Sequence, residues 1–218
     1  GNVVSAQAHP DAVEATSDYI RIYNNIIGDH TQEIFIQALP AVNSGNLQNI
    51  LIYNNLFVKR GTGSSVDILI GTNVGAVNPI WSGIVIANNT HVSSEDCLRL
   101  LAKTGGYTGT VVDSMFVNNL VCGTGRAAIS MSLASDGDVD WASGQFVARN
   151  NLFVGTGAAT IYWKSLGPYT TISGWQAANP FDAYGNITGG VGFRDAANLD
   201  YRLTSGAAIN AGLNLSQY

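Results

Sequence analysis

Arg99 and Lys103 lie four residues apart in Cys97-Leu98-Arg99-Leu100-Leu101-Ala102-Lys103, and even spacing puts both on one face of an extended strand. A cation on such a face can neutralise a substrate carboxylate, and a desolvated Lys or Arg can accept a proton. The plainer reading is two solubilising charges at a strand edge. His9 and Asp11 form a second pair, in which an imidazole beside a carboxylate can shuttle a proton or help bind a metal. More plainly, Asp11 caps a turn and His9 packs beneath it. His30, in Gly28-Asp29-His30-Thr31, and His91, in Asn89-Thr90-His91-Val92, read as structural or solvated. No histidine or cysteine cluster has zinc-ligand spacing, so no metal ligands are assigned. Asp136, Asp138 and Asp140 alternate in a stretch that reads as a long turn, which makes calcium a candidate cofactor. An Asp-Gly turn with exposed acids explains them equally well.

These residues need a scaffold, and the composition limits which. The chain has 218 residues, 46% hydrophobic and 11% charged, with 25 glycines and a net charge of −5. Low charge with many aliphatics argues against disorder. Abundant Gly and Asn suit a fold with many turns. No basic run supports nucleic-acid binding. No stretch of 18 apolar residues is present, so membrane insertion is not expected. Cys97 and Cys122 both sit in apolar strand contexts and read as small buried hydrophobes, although two cysteines also permit a disulfide. The chain begins at Gly1 without a Met, which leads to the expectation that earlier N-terminal coils are missing.

A repeat carries the architecture. Ile20-Arg21-Ile22-Tyr23-Asn24-Asn25 returns as Ile50-Leu51-Ile52-Tyr53-Asn54-Asn55, as Ile84-Val85-Ile86-Ala87-Asn88-Asn89, and as Met115-Phe116-Val117-Asn118-Asn119. Phe146-Val147-Ala148-Arg149-Asn150-Asn151 and a degenerate Ala183-Tyr184-Gly185-Asn186 follow. The second Asn recurs at spacings of 30, 34, 30, 32 and 35. Within each phrase apolar residues alternate with variable ones, the period of a strand. The Asn pair then turns the chain, and stacked copies of its second member can form an internal Asn ladder. A second strand lies between phrases, as in Val66-Asp67-Ile68-Leu69-Ile70. Two or three short strands per 30–35 residues predict an all-β fold, a right-handed parallel β-helix of about six coils, as a single domain over residues 1–218. Its open end makes oligomerisation through an exposed edge an expectation.

In such a solenoid, equivalent outward side chains form a column with about 4.8 Å per coil. Placing Val13, Ile36, Ile68, Leu98, Ile129 and Ile161 inward gives an outward column of Glu14, Gln37, Asp67 or Leu69, Arg99, Ser130 and Tyr162. Lys103 and Lys164 follow at strand ends. Glu14, Gln37, Asp67, Tyr162 and Lys164 are therefore the candidate substrate-binding row; the alternative is an ordinary solvated face. Glu14 and Asp67, two coils apart, would stand about 9.6 Å from each other. That is the upper limit for an inverting hydrolytic pair, roughly 9.5 Å.

The Asn-Asn phrases resemble the right-handed parallel β-helix repeat proteins of the pectate-lyase-like superfamily, which includes pectate lyases, alginate lyases and epimerases, and phage tailspikes. The tail Asp200-Tyr201-Arg202-Leu203-Thr204-Ser205-Gly206-Ala207-Ala208-Ile209-Asn210-Ala211-Gly212 is similar to the closing segment of many bacterial members. His9-Pro10-Asp11-Ala12-Val13-Glu14 resembles a His-x-Asp element of some of them, with Glu14 in place of Gln. The resemblance implies a secreted or cell-surface polysaccharide lyase or epimerase whose partner is an acidic, uronate-containing polysaccharide. In that reading Arg99 neutralises the sugar carboxylate, Lys103 acts as base, and His9 and Asp11 sit at the rim. A non-catalytic carbohydrate-binding or structural module and a glycoside hydrolase are the alternatives. Trp141, Tyr162, Trp163, Tyr169 and Trp175 read either as a sugar platform or as the apolar cover of the last coils.

Overall fold

The computed structural model describes residues 11–39, 44–60, 66–72, 79–102, 108–131, 138–140, 146–154, 159–163, 167–178, 185–207, 209, 211–212 and 214–216. Its strands form an eleven-stranded sheet, a seven-stranded sheet and a two-stranded hairpin. Almost every strand pairs in parallel with the strand one repeat further on, the arrangement of a β-solenoid. In the seven-stranded sheet, Arg21–Tyr23 pairs with Leu47–Tyr53, which pairs with Ile80–Ala87, followed by Ser114–Val117 and Phe146–Arg149.

The larger sheet has two limbs. One contains Ile26–Ile27, Leu56–Val58, the start of Thr90–Ala102, the start of Leu120–Met131, and Leu152–Val154. The other contains Asp11–Ala15, Gln32–Gln37, Val66–Thr72, and the later parts of the same two long strands. A register shift between Thr124 and Ala127 marks the bend between limbs.

The coil count differs from the expectation of six. About three turns are complete, with every strand covered on both sides. The outer phrases form end layers: among the described residues, Arg21–Tyr23, Ile26–Ile27 and Ile187–Thr188 each pair on one side only. The Asp138–Asp140 stretch, read as part of a long turn, is a strand paired with Thr108–Val112. Asp136 and residues 1–7, where one-sided edge pairing was expected, lie outside the described residues.

The Asn pairs explain why the turns stack. Asn24, Asn54, Asn88, Asn118 and Asn150 have φ between 54° and 59°, the left-handed region that Asn tolerates better than most side chains. Gly185 takes this position in the degenerate last copy, with φ 71°. The next Asn points inward and binds its neighbours. Asn89 Nδ2 donates to Ile52 O at 3.0 Å and to Asn119 Oδ1 at 3.1 Å. Asn89 Oδ1 accepts from Asn55 N and Asn55 Nδ2. The same pattern links Asn25 to Asn55, Asn119 to Asn151, and Asn151 to Asn186. Asn55, Asn89, Asn119 and Asn151 are buried, whereas Asn25, with no described layer beneath it, is exposed.

The core is a set of inward columns, such as Ile22, Ile52, Ile86, Phe116 and Ala148. Helix α1, Ile172–Ala178, covers the late end of this core by burying Ile172 and Trp175, and Tyr169 packs against the same core. That burial favours the covering role for these late aromatics. Trp141 and the Tyr162 and Trp163 side chains lie outside the described set. The chain then forms the hairpin Val191–Asp195 and Asp200–Gly206 and returns along the Asn corner. Asn150 Nδ2 donates to Ala211 O, and a Cβ on Gly212 would sit 3.3 Å from the Asn118 amide.

Replacing Asn89 with Leu leaves two donors of Asn55 and the Ile52 carbonyl without their partner, while the Asn119 amide oxygen keeps the Asn89 backbone N–H and loses only the side-chain donor. Each buried group stranded in this way costs about 1–3 kcal/mol. Chemical denaturation should show a loss of at least about 3 kcal/mol for Asn89→Leu. Asn25→Leu, at the exposed end of the stack, should lose less than about 1.5 kcal/mol, the net worth of an ordinary hydrogen bond.

Candidate functional site

The column that contains Arg99 is not the polar row expected. The register reads Glu14, Phe35, Leu69, Arg99, Ser130 and Tyr162. Gln37 is one alternation further along its strand, level with Gly71 and Leu101, because Ile34 rather than Ile36 pairs with Ile68. Phe35, Leu69 and Leu101 are buried and cluster with Val66. Ser130 is fully buried and Arg99 partly so, while Glu14 is exposed. Glu14 and Arg99 stand three rungs apart, about 14 Å at the usual strand spacing, further than one sugar ring spans. Asp11 is half-buried at the end rung, paired with Gln32. His9, Lys103 and Lys164 lie outside the described residues, as does the Tyr162 side chain.

Asp67 does not stand on the outer face. It is 2% exposed, and its Oδ2 lies 2.7 Å from Nδ1 of His91, which is fully buried. The Glu14 and Asp67 carboxyls therefore do not face a common cleft. His91 occupies the inward column between Phe57 and Val121, and its ring stacks on Phe57 with centroids 4.9 Å apart and planes at 10°. Cys97, also fully buried, completes the group: the donor atoms of Asp67, His91 and Cys97 all lie within 4.8 Å of one another. Burial holds the Cys97 thiol well above its usual range, and the Asp67 and Asp96 carboxyls push it the same way. Sequence spacing missed this group because its members come from two limbs of the sheet and two turns. The one local signal is His91, a polar residue at a place where other turns carry Phe57, Val121 and Phe153.

His30 behaves as a structural residue. The buried Glu33 carboxylate accepts from its backbone N–H at 3.0 Å, and His30 Nδ1 lies 3.1 Å from the same carboxylate. Burial nevertheless raises the Glu33 pKa above the ordinary value. Cys97 and Cys122 are both free thiols, so no disulfide joins them.

An open groove lies elsewhere, on the outer face of the seven-stranded sheet. Arg21, Leu51, Tyr53, Val85, Ala87 and Asn88 line it, with Leu215 of the returning tail as its wall, and it encloses about 330 Å³. Tyr23 adjoins it through Tyr53; the two rings are parallel, 5.0 Å apart, and Tyr23 is 48% exposed. Arg21 is exposed and makes no ion pair among the described residues, whereas Arg60, Arg194 and Arg202 are all engaged by aspartates. Arg202 holds the Asp200 carboxyl down to about 2. Among the described residues, no helix is long and apolar enough to cross a membrane. No family model, curated protein or solved structure matches this chain.

The thiols yield a pH prediction. Burial raises Cys122 to about 11, so the folded protein keeps this thiol protonated at pH 8. Ellman's reagent should label neither Cys97 nor Cys122 at a useful rate before unfolding, and both after it. The unfolded chain binds fewer protons at Cys122 above its own thiol pKa. The stability that Cys122 contributes is therefore full below that value and declines as pH rises toward the folded one. From pH 9 to 11, Cys122→Ala should lose less stability than the parent.

Proposed function

We propose that this chain is a carbohydrate-binding β-solenoid that docks an acidic polysaccharide in the groove over its seven-stranded sheet. The observation that carries this reading is the Arg21 guanidinium, without an ion-pair partner among the described residues, beside the Tyr23–Tyr53 stack in an open groove. A guanidinium matches a uronate carboxylate in two parallel hydrogen bonds. Tyr hydroxyls and the Asn88 amide suit sugar hydroxyls. Leu51, Val85 and Ala87 offer apolar floor to a ring face. Such a groove fits within the roughly 300–1,000 Å³ range of ligand sites.

The handedness is taken as right-handed, because parallel strand–crossover–strand connections are right-handed in about 98% of cases. A polymer-docking solenoid belongs outside the cell or on its surface, where such polymers are. Catalysis by β-elimination or epimerisation would need a cation and a base on one accessible face. The neighbours of Arg99 in its column, Leu69 and Ser130, are buried, so the non-catalytic reading takes precedence over the lyase.

Affinity electrophoresis and calorimetry with polygalacturonate, alginate and neutral glucans test the proposal. Binding restricted to the uronates is expected, with no unsaturated product absorbance. Arg21→Ala should weaken binding about 10- to 100-fold, the loss of one charge-assisted hydrogen-bonding group of about 1.5–3 kcal/mol. Equal binding of neutral glucans would overturn the acidic specificity. Product absorbance that survives Arg21→Ala and disappears in Arg99→Ala would restore the lyase.

A further inference from the structure

The inward column of the first limb runs Ile27, Phe57, His91, Val121 and Phe153. Histidine interrupts an otherwise apolar series. In the second limb, one equivalent place is taken by Asp67, then Cys97, then Ala128 in successive turns, between residues whose pairing is direct. Phe, Val and Ala fill these places elsewhere, so the solenoid itself does not require the polar trio. Burying a carboxyl and an imidazole in such a core is unfavourable unless something compensates. The hydrogen bond between them uses one ring nitrogen. His91 Nε2 is buried with no hydrogen-bond partner among the described residues, a cost that a purely packing role does not explain.

Carboxylate, imidazole and thiolate are also the donor types that zinc selects, at bond lengths of about 2.0–2.3 Å. Their donor atoms already lie within 4.8 Å of one another, so modest side-chain rotations bring them around one ion. The stacked Phe57 ring holds the imidazole in orientation. We infer that Asp67, His91 and Cys97 form a buried structural site for a thiophilic divalent cation of the zinc class. The ion ties one turn to the next at the bend between the two limbs. Because all three residues are sealed from solvent, the ion enters as the chain folds, and its binding energy becomes folding energy. This site is independent of the sugar groove.

The test uses the full chain, folded with zinc and, separately, with a chelator. The expected result is one zinc per chain by mass spectrometry, a midpoint of thermal unfolding that rises with zinc, and a thiolate-to-cobalt absorption band when cobalt replaces zinc. Cys97→Ala and His91→Phe carry residues that adjacent turns already hold at these places, Ala128 and Phe57, so both should keep the circular dichroism of the parent. Each should lose the cobalt band and the zinc-dependent midpoint, while Cys122→Ala should keep both. If either variant fails to fold, the zinc content and cobalt spectrum of the parent chain decide. Three results would overturn the site: a parent chain that folds without retaining zinc and gains no stability from it; a cobalt complex without a thiolate band; or folded Cys97→Ala and His91→Phe proteins that still hold one zinc.

Discussion

One turn of this chain cannot bury its own apolar side chains, so every layer depends on vertical contact with the next. That contact is closed most tightly at the Asn corner. Asn55, Asn89, Asn119 and Asn151 each give two amide protons and accept two others, so these interior side chains are fully used. The bonds run both to the next Asn and to a backbone carbonyl in the preceding turn, which fixes register as well as spacing. The residue before each ladder Asn must turn left-handed, and this is why the motif is a pair. Where the first Asn is lost, Gly185 replaces it and keeps the left-handed backbone conformation.

Fixed register turns neighbouring layers into comparisons. In a column of Ile, Phe, Val and Phe, a His is an exception that needs a cause, and so is an Asp followed by a Cys where a later turn has Ala. Local rules and global fold agree almost everywhere in this core, and disagreement is concentrated at the bend where His91, Asp67 and Cys97 meet.

The two sheets also divide the outer surface. On the second limb of the larger sheet, Phe35, Leu69 and Leu101 are buried, so that face is closed to a polymer. On the seven-stranded sheet Arg21 and Tyr23 are exposed and Leu51, Tyr53 and Val85 partly so, and the returning C-terminal tail adds a wall that creates a groove. The tail passes along the Asn corner, where Asn150 Nδ2 donates to Ala211 O and Gly212 lies close to the Asn118 amide. The same corner therefore stacks the turns on its inside and shapes the groove on its outside.

Much of this was legible in the residues. Period-two alternation ending in Asn-Asn, repeated at 30–35 residues, is enough to specify parallel stacked strands and an inward Asn at every turn. These are local patterns that recur, and recurrence removes ambiguity. Placement on the second strand was less secure. Ile34 and Ile36 are both apolar and both point the same way, so a two-residue slip keeps the alternation and still moves Gln37 out of the Arg99 column. The polar trio was not legible as a group: Asp67 and His91 are 24 residues apart on different limbs. Alternation sends Asp67 outward on paper, yet the bend between limbs seals it inside. The sequence by itself determined the repeat, the turn and the ladder, because each is a bond between equivalent positions. Only the tertiary structure decided which side chains share the interior and which face stays open, because those depend on where the chain bends and where its tail returns.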